Sequence, residues 1–339
     1  MQEKEMNRLK FFFRRQVVNP FDKEKPTVLL ISNLKKNQNF YRDQEILRQS
    51  NSIRLAEDFN FDKYKWDIRR IIDDFFKVKT PKYILLNYNH HFTHKIKYLE
   101  KTNVPFFVFV GDTYDFIMPD ERSEKKKNFL LSLNPTAYIT AFPNTNDMLC
   151  EGVGAKNIKI LTSHWAVDEN VYCPQNPWRR YDIGCLGAHT PRKYPFRNKV
   201  RKYLLSQSKF KFFKKERVCS HDGVIFSKTL NRLKSCFTDS SIYKFTLMKY
   251  FEIPACETLL FGEHTDELDS LGFKDGINFV EIDENNFHEK FDHYLRGNGK
   301  KDWQKITQNG RELILKRHTW KIRIKELLFN IKKVLDVTY

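Results

Sequence analysis

The stretch KYFEIPACETLLFGE, residues 249–263, decides the fold. It opens on a charged pair, Lys249 and Glu252, set around Tyr250 and Phe251. A Pro-Ala-Cys turn follows, and an apolar run from Leu259 to Phe261 closes on Gly262 and Glu263. A short apolar run bounded by turn residues reads as a buried strand. Similar runs lie on both sides. TVLLIS (27–32), KYILLNY (82–88), PFFVFVG (105–111), TAYITA (136–141) and NIKILTS (157–163) form a first set. YDIGCLG (181–187), KFKFF (209–213), KSCFTD (234–239), ETLLFG (257–262) and NFVEI (278–282) form a second. Helical patterns separate them, around 66–76, 192–205 and 303–334. In the last, Leu313, Ile314, Trp320, Ile324, Leu327, Leu328 and Ile331 share one face, with a break near His318. Strands apolar on both faces and separated by helices predict parallel α/β sheets.

The pattern predicts two Rossmann-like α/β domains with a cleft between them. The first covers 1–167, and the polar segment DENVYCPQNPW (168–178) reads as the linker. The second covers 179–318, followed by a final helix, 319–339. In such sheets ligands sit beyond the carboxyl ends of the strands. The loops to search are therefore 32–36, 87–94, 111–115, 163–165, 187–192 and 244–263.

Composition narrows the function classes. The chain has 339 residues, 40% hydrophobic, with a formal net charge of +18. That is enough apolar content for two cores, and a balance that favours anionic partners: nucleic acid, an acidic membrane face or phosphorylated small molecules. No apolar run reaches the ~18–20 residues of a membrane span. The three consecutive Phe at 11–13 fall short of a signal peptide's ~7–15-residue core. Six cysteines are scattered without a CxxC pair, so free thiols of a cytoplasmic protein are expected, and neither zinc nor a disulfide framework.

The longer segment FTLMKYFEIPACETLLFGE resembles the CgeB-like branch of the GT-B glycosyltransferases, whose pattern is close to T-x-R-x-F-E-I-P-A-C-G. Asp182-Ile183-Gly184-Cys185-Leu186-Gly187 is similar to the family's D-I-G-F-x-G strand and loop. ILTSHWAVDENVYCP resembles its interdomain stretch, with Asp168 at the family's Asp. Gly310-Arg311 and His318-Thr319-Trp320 with Arg323 resemble its tail. The likeness covers about 157–325. It implies a GT-B fold, in which the final helix 319–339 packs back on the first domain, and transfer of a sugar from a nucleotide-sugar donor to a glycan, lipid-linked or other hydroxyl acceptor. It also implies that Glu252 holds the donor's ribose and that the start of its helix favours the diphosphate. Three positions depart from the pattern. The family's Arg is Lys249, which keeps the charge and loses the bidentate fork. The family's Gly is Glu257, where backbone approach to the ligand is usual. A Glu found eight residues before the ribose Glu in retaining relatives is Lys244.

The residues themselves allow more than one reading. Gly184 and Gly187 at a strand end let amides approach a phosphate, or make a tight turn. Arg192 to Arg217 holds eleven Lys or Arg against Glu216; some serve a diphosphate, most a solvated face. Lys244, Lys249 and Arg192 are the expected phosphate-side cations, with Gly187 and Thr258 beside them as donor-binding residues. In NHHFTH (89–94), His91 and His94 could share a helix face, but no carboxylate or Cys stands at ligand spacing. His91 is instead a candidate base on the acceptor hydroxyl, because imidazole titrates near neutrality. Asp112 of GDTYD (111–115) is the other candidate base, or a helix cap with a solvated partner. The spacing is DxxD and not the DxD of metal-dependent transferases, so no metal and no cofactor are expected, and protein charge stabilises the leaving diphosphate.

Basic residues on the polar face of the tail suit an anionic bilayer, which adds a peripheral location at the inner face of a membrane. The competing classes are a basic nucleic-acid-binding protein, a transferase whose acceptor is phage-type modified DNA, and a degenerate transferase that binds without turnover. Basic residues interleaved with aromatics favour nucleic acid, yet no nucleic-acid motif is present.

Overall fold

The structure is a computed structural model that describes residues 25–32, 38–56, 58–76, 80–88, 92–111, 113, 121–152, 158–175, 178–215 and 222–338. Eleven strands among these form two sheets, and every strand pair is parallel. The first sheet is built from β1 (Thr27–Ile31), β2 (Asn51–Leu55), β3 (Tyr83–Asn87), β4 (Phe106–Phe109), β5 (Ala137–Thr140) and β6 (Ile160–Thr162), in the order β2-β1-β3-β4-β5-β6. The second is built from β7 (Tyr181–Cys185), β8 (Phe212–Phe213), β9 (Leu233–Thr238), β10 (Leu259–Gly262) and β11 (Val280–Glu281), in the order β11-β10-β9-β7-β8. Both orders reverse direction beside their first strand, which is the doubly wound arrangement expected from the sequence.

Every residue of β1, β3, β4 and β5 is buried, which is why these strands read as unbroken apolar runs. β2 was not among the expected strands. Its sequence NSIRL carries only Ile53 and Leu55 as apolar residues, and as an edge strand it buries only part of its length. KFKFF shrinks to the two residues of β8. The tail divides as the periodicity predicts, into helices Trp303–Arg317 and Trp320–Thr338 with His318 between them. Ile314, Trp320, Ile324, Leu327 and Ile331 are buried.

The chain divides into two compact units. The first carries the six-stranded sheet and ends at Thr162; the second runs from Ser163 to the end and also takes Lys35–Arg42 and Ala141–Thr145. The second unit thus includes the segment expected to be a linker and the final helix. Val167 is built into it: its amide donates to His318 O at 3.1 Å, and Trp320 N donates to Val167 O at 2.9 Å. Of the described residues, Cys150, Cys173, Cys185, Cys236 and Cys256 are free thiols. No helix among the described residues is long and apolar enough to cross a membrane.

Candidate active site

The site is assembled at the carboxyl ends of β7 and β9. The two glycines of the β7 motif do different work. A Cβ on Gly184 would stand 2.5 Å from Leu233 Cδ1, so this glycine admits a neighbouring side chain within the sheet. Gly187 has φ +120°, a conformation that side chains disfavour, and a Cβ there would meet Arg197 Nη1 at 2.9 Å and Lys249 Nζ at 3.1 Å. Two cations therefore press on one bare stretch of backbone just past the end of β7.

Arg197 lies in the helix Pro195–Ser206 and is 1% exposed. Its Nη2 donates to Asp239 Oδ1, and its backbone amide donates to Asp239 Oδ2 at 3.1 Å. Nη1 donates to Ala188 O at 2.8 Å, and the guanidinium sits 4.0 Å over the Tyr194 ring. Arg197 thus ties the Gly187 loop to the end of β9. Burial raises the Asp239 carboxyl above its ordinary range, with Arg197 opposing.

Lys249 opens the helix Lys249–Ala255. No hydrogen bond from its ammonium is found among the described residues. Burial, and then Arg197, push its pKa down to about 8, against the raising influence of Glu252 and Asp239. Glu252, one turn further along, is 5% exposed and accepts a hydrogen bond from Tyr172 at 2.8 Å. Burial holds the Tyr172 phenol well above its usual range, so it remains a donor. The structure therefore groups Gly187, Lys249 and Glu252, and adds Arg197, Asp239 and Tyr172. Arg197 stands in the basic run, where nothing in the sequence separates it from its solvated neighbours.

Other expected site residues fall elsewhere. Thr258 precedes β10 at its amino end; its hydroxyl donates to Leu230 O at 3.0 Å and accepts from Arg179 at 2.8 Å. It is a structural residue of the opposite sheet edge. Lys244 is exposed, with φ +55°, and its ammonium pairs with Glu263. Glu263 also accepts from Ser240 N at 3.0 Å and Ser240 Oγ at 2.6 Å. Arg192 is exposed in the turn ahead of the Pro195–Ser206 helix. His91 and Asp112 lie outside the described residues. Among the described residues no group of three His, Cys, Asp or Glu side chains could hold a metal ion.

Glu257 was expected where backbone approaches the ligand, and the geometry gives a different reason for a glycine there. Glu257 has φ +51° just past the helix end, where a left-handed residue terminates the helix. Its amide donates to Pro254 O at 2.9 Å, and its carboxylate faces Arg311 Nε at 3.6 Å. The tail motif clamps the same helix. Arg311 Nη1 donates to Ala255 O at 2.6 Å. Gly310 lets the Trp303–Arg317 helix come close, since a Cβ there would be 2.7 Å from Asn278 O and 3.1 Å from Pro254 Cβ. His318 Nε2 bonds Leu271 O at 2.8 Å, and Nδ1 faces Arg323 Nη2 at 3.0 Å. A carbonyl only accepts and a guanidinium only donates, so His318 is neutral with its proton on Nε2. Burial first, with Arg323 and Arg317 adding, pushes its pKa down to about 3.

Residues 161–329 match the family model described as glycosyl transferase-like. A comparison with curated proteins gives no match. Among solved structures, Anabaena HepE in complex with UDP and glucose is similar at TM-score 0.59 and 9% identity, over 91% of this chain and 100% of that one. A sucrose-phosphate synthase from Thermosynechococcus elongatus is similar at TM-score 0.57 and 11% identity, over 92% and 100%. A glycosyltransferase from Rickettsia africae reaches 0.55 at 11%, over 92% and 99%. These identities speak for the fold, and the family model for the second unit. The chain therefore has the GT-B fold and carries a glycosyl transferase-like domain at residues 161–329.

Proposed function

We propose that the chain transfers a sugar from a nucleotide sugar of the UDP class to a hydroxyl acceptor on a glycan or lipid-linked chain, within the CgeB-like branch. The observation that carries this reading is the pair of cations at Gly187. Lys249 stands beside bare backbone with its ammonium unbonded among the described residues, and Glu252 is one helical turn away. A part-buried ammonium pressed against a second cation and making no hydrogen bond among the described residues leaves a donor open, and a diphosphate oxygen is a matching acceptor. The UDP in the related HepE structure supports the choice of nucleotide.

In this mechanism Lys249 and the loop amides around Gly187 bind the diphosphate, and their charge stabilises it as it leaves. Arg197 holds the loop in place through Ala188. Tyr172 orients Glu252, whose carboxylate accepts from the ribose hydroxyls. No metal is required for the leaving-group step. The acceptor base, where the reaction inverts configuration, is His91 or Asp112.

Calorimetric titration with UDP and UDP-glucose, with EDTA and with magnesium, tests the reading. The expected result is binding that EDTA leaves unchanged and that Glu252→Gln and Lys249→Met each weaken about tenfold or more, the size of one charge-assisted hydrogen bond. Binding of equal strength in both variants would put the donor site elsewhere.

A further inference from the structure

The second unit holds another cavity, of about 320 Å³, lined by Trp178, Arg179, Lys234, Tyr294, Lys300 and Trp303 with Leu295. It lies at the amino ends of the strands. Arg179 leads into β7, and Lys234 is the second residue of β9. Gly187 and Lys249 stand at the other edge of the same sheet, so an occupant here does not compete with a nucleotide there. The volume is within the ~300–1,000 Å³ of small-ligand pockets.

Its chemistry is aromatic and cationic. Trp178 is 80% exposed, a large apolar surface to leave in water. Trp303 is fixed by donation of its Nε1–H to Lys234 O at 2.9 Å, with Arg179 stacked 5.8 Å from its ring. The Arg179 guanidinium donates its hydrogen bonds to neutral groups, with the Glu257 carboxylate acting on it from a distance. Nη1 donates to Leu233 O at 2.7 Å and Thr258 Oγ1 at 2.8 Å, and Nη2 donates to Cys256 O at 2.7 Å. Lys234 pairs with Asp182 at 2.7 Å outside the cavity, and Lys300 is exposed. None of the described lining residues is acidic. The walls therefore present flat apolar faces together with positive charge and no carboxylate among the described lining residues.

We propose that this cavity is a second saccharide site, which takes a sugar unit bearing a negative charge, as a uronate or a sugar phosphate. A sugar ring presents a face of C–H groups to an indole, and its anionic substituent reaches Lys300 and the Arg179 edge. Three aromatics line one cavity of about 320 Å³, a size that suits a single ring and not a run of stacked bases. The site stands whether or not the donor reading holds, because it shares no residue with it.

The test is calorimetric titration of the full chain with short oligogalacturonate, glucose 6-phosphate, maltotetraose and oligothymidylate. Wild type, Trp178→Ala and Lys300→Glu are compared; both positions are exposed, and a far-ultraviolet spectrum checks folding. The expected result is binding of oligogalacturonate or glucose 6-phosphate well above maltotetraose, weakened about tenfold by Trp178→Ala and by Lys300→Glu. The tighter of the two ligands distinguishes a glycan chain from a free sugar phosphate. UDP binding should be the same in all three proteins. Anionic sugar binding that is absent, or equal in all three proteins, overturns the proposal, since it then reflects the net charge alone. Oligothymidylate binding that is tighter and equally sensitive to both variants overturns it in favour of nucleic acid.

Discussion

Replacing Lys249 by Met should make the protein more stable and bind nucleotide less well. The ammonium sits beside the Arg197 guanidinium, and burial lowers its pKa from 10.5 to about 8. That difference corresponds to about 3 kcal/mol of penalty on the charged form in the folded state. At neutral pH the folded chain carries this penalty and Met removes it, so the variant should gain on the order of 1–3 kcal/mol, some being lost to imperfect packing. The sign depends on pH. Between about 8 and about 10.5 the unfolded chain keeps its proton on Lys249 and the folded chain has shed it, so wild-type stability rises with pH across that window. The advantage of Met should shrink accordingly. Binding moves the other way. If only the charged form holds a diphosphate, about nine-tenths of the protein is competent at about pH 7 and about one-tenth at about pH 9, so the apparent Kd weakens about tenfold. In that range binding must take up a proton, which titration in buffers of different ionisation enthalpy detects. Thermal melts and UDP titrations of both proteins at the two pH values complete the assay. A Met variant that melts lower than wild type at neutral pH, or wild-type UDP binding that is flat in pH, would refute the reasoning.

Glu257→Gly should be neutral to stabilising by up to about 1 kcal/mol: it relieves a left-handed φ, while losing a half-exposed ion pair with Arg311 and gaining freedom in the unfolded chain. Urea unfolding reads it, and a loss of 2 kcal/mol or so would show that the carboxylate has a role beyond the helix end. Gly187→Ala should cost about 1–3 kcal/mol from its φ of +120° and should weaken UDP binding, because the new Cβ displaces Arg197 and Lys249; UDP titration at matched folding checks it. Arg197→Met should destabilise by about 3–5 kcal/mol at neutral pH by leaving Asp239 buried and unpaired, and Arg197→Met with Asp239→Leu should recover much of that. The double variant should still bind UDP poorly, since the Ala188 tether is gone.

Burial pattern explains which parts of this molecule could be read in advance. Strands such as YILLN and FFVF are enclosed on both faces, so local composition alone marks them. NSIRL is an edge strand whose pairing with β1 comes from the rest of the sheet, and nothing local announces it. The site divides along the same line. Gly187, Lys249 and Glu252 lie in stretches that the family resemblance singled out, one past a strand end and two on one short helix. Thr258 was misplaced because a residue beside that motif in sequence can face the opposite edge of the sheet: the helix runs back over it, and Glu252 and Thr258 bracket that turn. Arg197 is the harder case. It is one of eleven cations between Arg192 and Arg217, and Arg201 in the same run is buried as well, so only its ion pair with Asp239 distinguishes it. Its partner Asp239 comes from the end of another strand 42 residues away, so the pair exists only once the sheet has formed. Such a pair is a poor source of stability, because desolvation offsets most of its attraction. What it does supply is position: Asp239 takes two donors from Arg197, the guanidinium's other arm holds Ala188, and the Gly187 loop is fixed next to an ammonium that the fold itself destabilises. The two cations beside Gly187 are therefore positioned by the fold itself.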